Sequence, residues 1–118
     1  MKQASSLDAI DAHWMRCAIA LSNKAQGLTS ENPNVGCVII DADGNLCASG
    51  YTQAGGRPHA EQVALEKAGT SANQATIYVT LEPCSHFGKT PPCARAIIEA
   101  GIKRVVVGII DPDTRVNG

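Results

Sequence analysis

The stretch from 76 to 110, TIYVTLEPCSHFGKTPPCARAIIEAGIKRVVVGII, decides the fold. Thr76 to Leu81 is apolar and rich in β-formers, and Val105 to Ile110 is a continuous apolar run, the pattern of a strand covered on both faces. Between them, Pro92 to Ala100 reads as a helix, with Pro92 near its first position and Gly101 beyond its end. Strand, helix, strand in that order implies parallel pairing through a right-handed crossover. Moving toward the N-terminus, Ala60 to Lys67 is a second helix ending at Gly69. Val35 to Ile40 and Leu46 to Gly50 are short strands separated by the turn-forming Asp41-Ala42-Asp43-Gly44-Asn45, hence an antiparallel hairpin. From Leu7 to Gln26, the residues Ile10, Trp14, Cys17, Ala18, Leu21 and Ala25 recur at three- and four-residue spacing, an amphipathic helix stopped by Gly27. The expected architecture is α/β, a three-layer α/β/α sandwich with a mixed sheet.

Composition narrows the function. A chain of 118 residues supports one core and one domain. A formal net charge of −1 gives no general attraction to nucleic acid or to an anionic membrane. The aromatic residues are Trp14, Tyr51, Tyr78 and Phe87, too few for a platform that stacks single-stranded bases. The first thirty residues mix His13, Arg16, Lys24 and acids with apolar positions, which is neither a signal peptide nor a membrane span. Five cysteines are an odd number and show no secretory framework, so a reducing cytoplasm is the expected compartment. No internal repeat, low-complexity tract or linker interrupts the chain.

Four residues stand apart from this background: His59, Glu61, Cys84 and Cys93. A buried cysteine usually acts as a small hydrophobe and a lone histidine is usually an ordinary core or surface residue. That ordinary role suits Cys17, Cys37, Cys47 and His13, which lie inside apolar patterns. Cys84 and Cys93 instead flank a loop of prolines, glycine and threonine, with eight residues between them. One imidazole and two thiolates make a three-ligand zinc set; a catalytic zinc keeps its fourth position open, whereas a structural one closes it. Zinc deaminases carry an H-x-E…P-C-x-x-C signature in which the Glu moves protons without binding metal. Glu61, two residues past His59, fits that role, against the plainer one of a first-turn acid complementing a helix dipole. His59 precedes one helix and Cys93 enters another, so two positive helix ends would converge on the metal and favour thiolate.

At these residues the chain closely resembles the bacterial riboflavin-biosynthesis pyrimidine deaminases of the cytidine-deaminase-like superfamily. The resemblance rests on Asn32-Pro33-Asn34-Val35-Gly36, on Pro58-His59-Ala60-Glu61, and on the segment from Thr80 to Cys93, whose long Gly88-Lys89-Thr90-Pro91-Pro92-Cys93 end is specific to that family. It implies the cytidine-deaminase-like fold, Zn2+ bound by His59, Cys84 and Cys93, and Glu61 as proton shuttle. It also implies hydrolytic deamination of 2,5-diamino-6-ribosylamino-4(3H)-pyrimidinone 5′-phosphate, a small-molecule pyrimidine ribotide, with no nucleic-acid or membrane partner. Asn32 matches a position that lies at the substrate in the family, and His86, Lys89 and Thr90 match the loop bordering the ribose phosphate. Lys89 reads equally as a solvated loop cation. His86 as a further ligand would require two residues of loop to fold back onto the metal bound by Cys84. Homo-oligomers are usual across the superfamily, so a dimer or larger assembly is expected.

Two departures accompany the resemblance. Where the family usually has His after a Gly-Tyr pair, Gly50-Tyr51 is followed by Thr52, so the substrate contact of that imidazole is either absent or replaced by the shorter hydroxyl. The segment Asp111 to Gly118 matches the start of a further helix and strand, so a domain truncated at its C-terminus is expected, without the reductase domain that follows in many members. The strand from Val105 would then lie at a sheet edge and invite association. Three alternatives remain. A deaminase of cytosine, guanine or cytidine shares the zinc residues but not the long loop. A tRNA adenosine deaminase calls for a basic stripe. A non-catalytic zinc module needs a fourth protein ligand and has no use for Glu61.

Overall fold

A computed structural model describes residues 2–24, 35–52, 59–81 and 94–109. The elements are α1 (Lys2–Lys24), β1 (Gly36–Ile40), β2 (Leu46–Tyr51), α2 (Ala60–Ala68), β3 (Thr76–Leu81), α3 (Ala94–Glu99) and β4 (Arg104–Ile109), with a short 3₁₀ turn over Gly69–Ala72. The strands form one sheet in the order β2-β1-β3-β4. β1 runs antiparallel to both β2 and β3, while β3 and β4 are parallel, so the sheet is mixed as expected.

The hairpin follows from its turn chemistry. Asp41 Oδ1 accepts from the amides of Asp43 at 2.9 Å and Asn45 at 3.0 Å, and the Asp41 amide donates to the Asn45 carbonyl at 2.8 Å. A short polar side chain thus satisfies amides that no strand can reach, which is why Asp nucleates such turns. The register slips between Ile39 and Ile40, a bulge that bends the strand into the turn.

Alternation along the strands builds two cores. On one face Cys37, Ile39, Ile77 and Val79 pack with Ala60, Ala64 and Ala68 of α2 and Ile97 of α3. On the other, Val38, Ile40 and Tyr78 pack with Trp14, Met15, Cys17 and Leu21 of α1. Three layers result, α1 on one side of the sheet and α2 with α3 on the other. β1 is buried along its whole length because helices cover both of its faces, which accounts for its unbroken apolar sequence. Ile39 and Ile77 are fully buried, each contributing on the order of 1.5–3 kcal/mol relative to exposure.

The structure corrects several boundaries. α1 begins at Lys2 rather than Leu7, and Ile10 is 53% exposed rather than part of the buried stripe. Met15 packs on the sheet in its stead. Ala25 and Gly27 lie outside the described residues. The second helix continues through Ala68 into the 3₁₀ turn, with the Gly69 amide donating to the Leu65 carbonyl. β4 is not covered on both faces: Val106 packs toward α1, but Val105 and Val107 are 48% and 49% exposed. Their position explains this, since β4 is the last strand in the order and α2 sits over β2 and β1 at the opposite side. Among the described residues no helix is long and apolar enough to cross a membrane.

Candidate metal centre

The strand pairings bring one end of the sheet together. Gly36 of β1 lies opposite Tyr51 of β2, Cys37 opposite Val79 of β3, and Thr80 of β3 beside Gly108 of β4. This end therefore carries the start of β1 and the ends of β2, β3 and β4. Two threonine hydroxyls brace it. Thr80, fully buried, accepts from the Gly36 amide at 3.0 Å. Thr52, 3% exposed, accepts from the Val35 amide at 3.0 Å and donates to the Val35 carbonyl at 3.4 Å. Two successive amides at the head of β1 are thus held from the strands on either side.

α2 starts at the same end, with Ala60 set over Gly50 of β2. His59 is its N-cap residue, in an extended backbone conformation with φ −71° and ψ 156°. Its amide donates to Gln62 Oε1 at 3.3 Å, and its carbonyl accepts from the Val63 amide at 3.1 Å. These bonds tie His59 to the first turn of the helix, as capping residues are tied. Glu61 follows in that turn and is only 6% exposed. A carboxylate so buried is uncommon outside paired or functional settings.

Cys84 comes three residues after Leu81, the last residue of β3, and Cys93 immediately precedes Ala94, the first of α3. Cys84, Cys93, Asn32, His86, Lys89 and Thr90 lie outside the described residues. The structure thus places His59 and Glu61 at the start of α2, and shows the strand and the helix that adjoin the two cysteines in sequence. Thr52 lies at this end, and its hydroxyl serves Val35, a structural duty that the sequence does not reveal. Thr80 was also missed; its signal was a hydroxyl inside an otherwise apolar strand.

The other cysteines behave as small hydrophobes. Cys37 is buried in the core beneath α2, and Cys17 and Cys47 pack against the two cores. Burial, reinforced by the charge of Asp41, pushes the Cys47 thiol above its ordinary value, which disfavours the thiolate a metal needs. His13 is exposed and meets Trp14 edge to face at 4.5 Å.

Residues 8–109 match the family model described as the cytidine and deoxycytidylate deaminase zinc-binding region. The chain belongs to the cytidine and deoxycytidylate deaminase family. The matched segment of this deaminase-family chain includes His59, Glu61, Cys84 and Cys93, and zinc is the metal of that region. The donor set fits: one imidazole at a helix N-cap and two cysteines make the nitrogen and sulfur combination that zinc prefers.

Its relatives point in one direction. It is 50% identical over 109 residues to the riboflavin biosynthesis protein RibD of Aquifex aeolicus, covering 92% of this chain and 30% of that protein. It is 48% identical over 108 residues to the diaminohydroxyphosphoribosylamino-pyrimidine deaminase of Buchnera aphidicola from Acyrthosiphon pisum, covering 92% of this chain and 73% of that one. Among solved structures, form 2 of RibD from Acinetobacter baumannii superposes with a TM-score of 0.74 at 50% identity, over 88% of this chain and 29% of that chain. The deaminase-family chain therefore spans under a third of the length of the RibD proteins that it matches.

Proposed function

We propose that this chain is a deaminase domain of riboflavin biosynthesis, acting on the phosphoribosylaminopyrimidine named above. The observation that carries the proposal is Glu61, a carboxylate 6% exposed in the first turn of α2, two residues past His59. A metal that only supported the fold would have no use for it. The relatives' names supply the substrate class: one is itself a diaminohydroxyphosphoribosylamino-pyrimidine deaminase.

His59, Cys84 and Cys93 would hold zinc. When bound, zinc supplies the Lewis acidity that makes water nucleophilic near neutral pH. Glu61 takes a proton from the attacking water and returns protons to the ring nitrogen and the departing amine. The C–NH2 bond is replaced by C=O, and ammonia leaves. Burial of Glu61 keeps bulk water from competing for that proton, and the braced head of β1 fixes the strand into which the Asn32 segment leads. On this reading Asn32, His86, Lys89 and Thr90 contact the substrate, with Lys89 and Thr90 at its phosphate. Thr52 backs the site from Val35. Cys17 and Cys47, held as thiols, suit a reducing, cytoplasmic setting.

Ammonia release from a panel of pyrimidines, with and without the 5′-phosphate, tests this. The phosphorylated ribosylaminopyrimidine should turn over fastest. Equal rates on cytosine, on cytidine or on the dephosphorylated ribosylaminopyrimidine would overturn the substrate assignment.

A further inference from the structure

We propose that Gly50 is a positioning residue for the zinc site, the seat that sets the start of α2, and with it His59 and Glu61, against the sheet. The inference deepens the deaminase reading and rests on it. Gly50 is buried in β2, directly beneath the first turn of α2. A Cβ placed there would lie 2.7 Å from the Ala60 carbonyl oxygen, 2.9 Å from Val63 Cβ and 3.0 Å from the Ala64 amide nitrogen, where ordinary contact begins at 3.4 Å. Two of these three atoms are helix backbone, so no side-chain rotation relieves the clash. Ala60 and Ala64 are fully buried, which leaves the helix no slack against the sheet. One methyl at position 50 must therefore lift or tilt the start of α2.

His59 and Glu61 would move with it. They flank Ala60 in sequence, and the His59 carbonyl is bonded to the Val63 amide at 3.1 Å. The same small displacement thus shifts His59, one of the three proposed ligands, against the sheet. It also moves Glu61 relative to the substrate. A misplacement of about 1 Å at reacting groups costs on the order of 10²-fold in rate.

The test uses the chain loaded with cobalt(II) in place of zinc, whose visible absorption reports ligand geometry independently of turnover. Gly50→Ala should stay folded and bind one cobalt with altered visible bands. Its kcat on the zinc-loaded form should fall at least ~10-fold, with KM changed by less than about 3-fold. Ala68→Gly, at the far end of the same helix and in the same core, serves as the control. It should lose thermal stability while keeping the parent spectrum and kcat. A folded Gly50→Ala with parental bands and kcat would overturn the proposal, as would an Ala68→Gly that reproduces the spectral change. Should Gly50→Ala fail to fold, Ala64→Ser adds a single atom at this helix–sheet contact and decides by the same two readouts. A parent chain showing neither cobalt bands nor ammonia release would instead bring down the deaminase assignment itself.

Discussion

Asp11 of α1 grips Arg104 of β4 through two bonds, Nη1 to Oδ1 at 2.9 Å and Nη2 to Oδ2 at 2.6 Å. The same Oδ1 accepts from the Tyr78 hydroxyl of β3 at 2.6 Å. One carboxylate therefore fastens the N-terminal helix to the two parallel strands that carry the chain toward and away from the cysteine loop. Bidentate pairing of this kind is stronger and more directional than a simple ion pair.

Removing the acid should cost more than removing the base. Asp11→Ala leaves the Tyr78 hydroxyl, on a residue 2% exposed, without its charged acceptor, and should lower stability by about 1–2 kcal/mol. Arg104→Met removes a side chain 46% exposed and should cost only about 0.5 kcal/mol. Urea unfolding of both variants and the double variant measures the difference. Equal losses would show that Tyr78 does not depend on Asp11.

The clamp has a signature at each end of the pH scale. Burial, then the Asp11 hydrogen bond and charge, pushes the Tyr78 phenol up to about 12 from an ordinary value of 10.0. The neutral phenol is favoured in the folded state, so its stabilisation is complete below about pH 10 and is lost as pH rises toward 12. Ultraviolet titration should show a late tyrosinate step that Tyr78→Phe abolishes. Asp11 behaves oppositely. The Arg104 hydrogen bonds, outweighing burial, hold its carboxyl below the ordinary 3.8. Its contribution is present above that value and disappears as pH falls through the lowered folded one.

Glu61→Gln should separate proton transfer from metal binding. The amide keeps the shape but cannot accept a proton, so zinc content and fold should survive while turnover falls at least ~10²-fold. Metal analysis beside ammonia assays checks both halves. Near-parental turnover with zinc bound would mean that another group moves the proton.

Cys93→Ser should remove metal and stability together. A hard hydroxyl is a poor substitute for a thiolate on zinc, and metal binding is linked to folding. The variant should lose stoichiometric zinc, and adding zinc should no longer raise its melting temperature. A zinc-dependent melting temperature equal to the parent's would remove Cys93 from the ligand set.

Much of the fold was legible because its signals are local. The Asp41 turn and the β3 run each announce themselves within a few residues and appear where the pattern puts them; α3, Ala94–Glu99, falls inside the expected span, whose Pro92 lies outside the described residues. The start of α1 is not legible because apolar periodicity marks only the residues from Leu7 onward, whereas the helix begins at Lys2. Ile10 and Val105 misled for one reason: apolar character shows that a residue can be buried, and only its neighbours in space determine whether it is. Among the candidate site residues, His59 and Glu61 stand out by spacing. Thr52 had been assigned from sequence to substrate alone, and its bonds to Val35 show what a comparison of aligned positions leaves out.

The sequence by itself determined the class of fold, the three-layer order and the set of residue types from which a zinc site could be made, because periodicity and side-chain chemistry are properties of short stretches. Only the tertiary structure decided that Asp11 meets Arg104 across 93 residues, that Gly36 leans on Thr80 across 44, and that Gly50 lies beneath Ala60. Such meetings depend on strand order, register and the distance between layers. Those are set by the packing of the whole core, and no single segment encodes them.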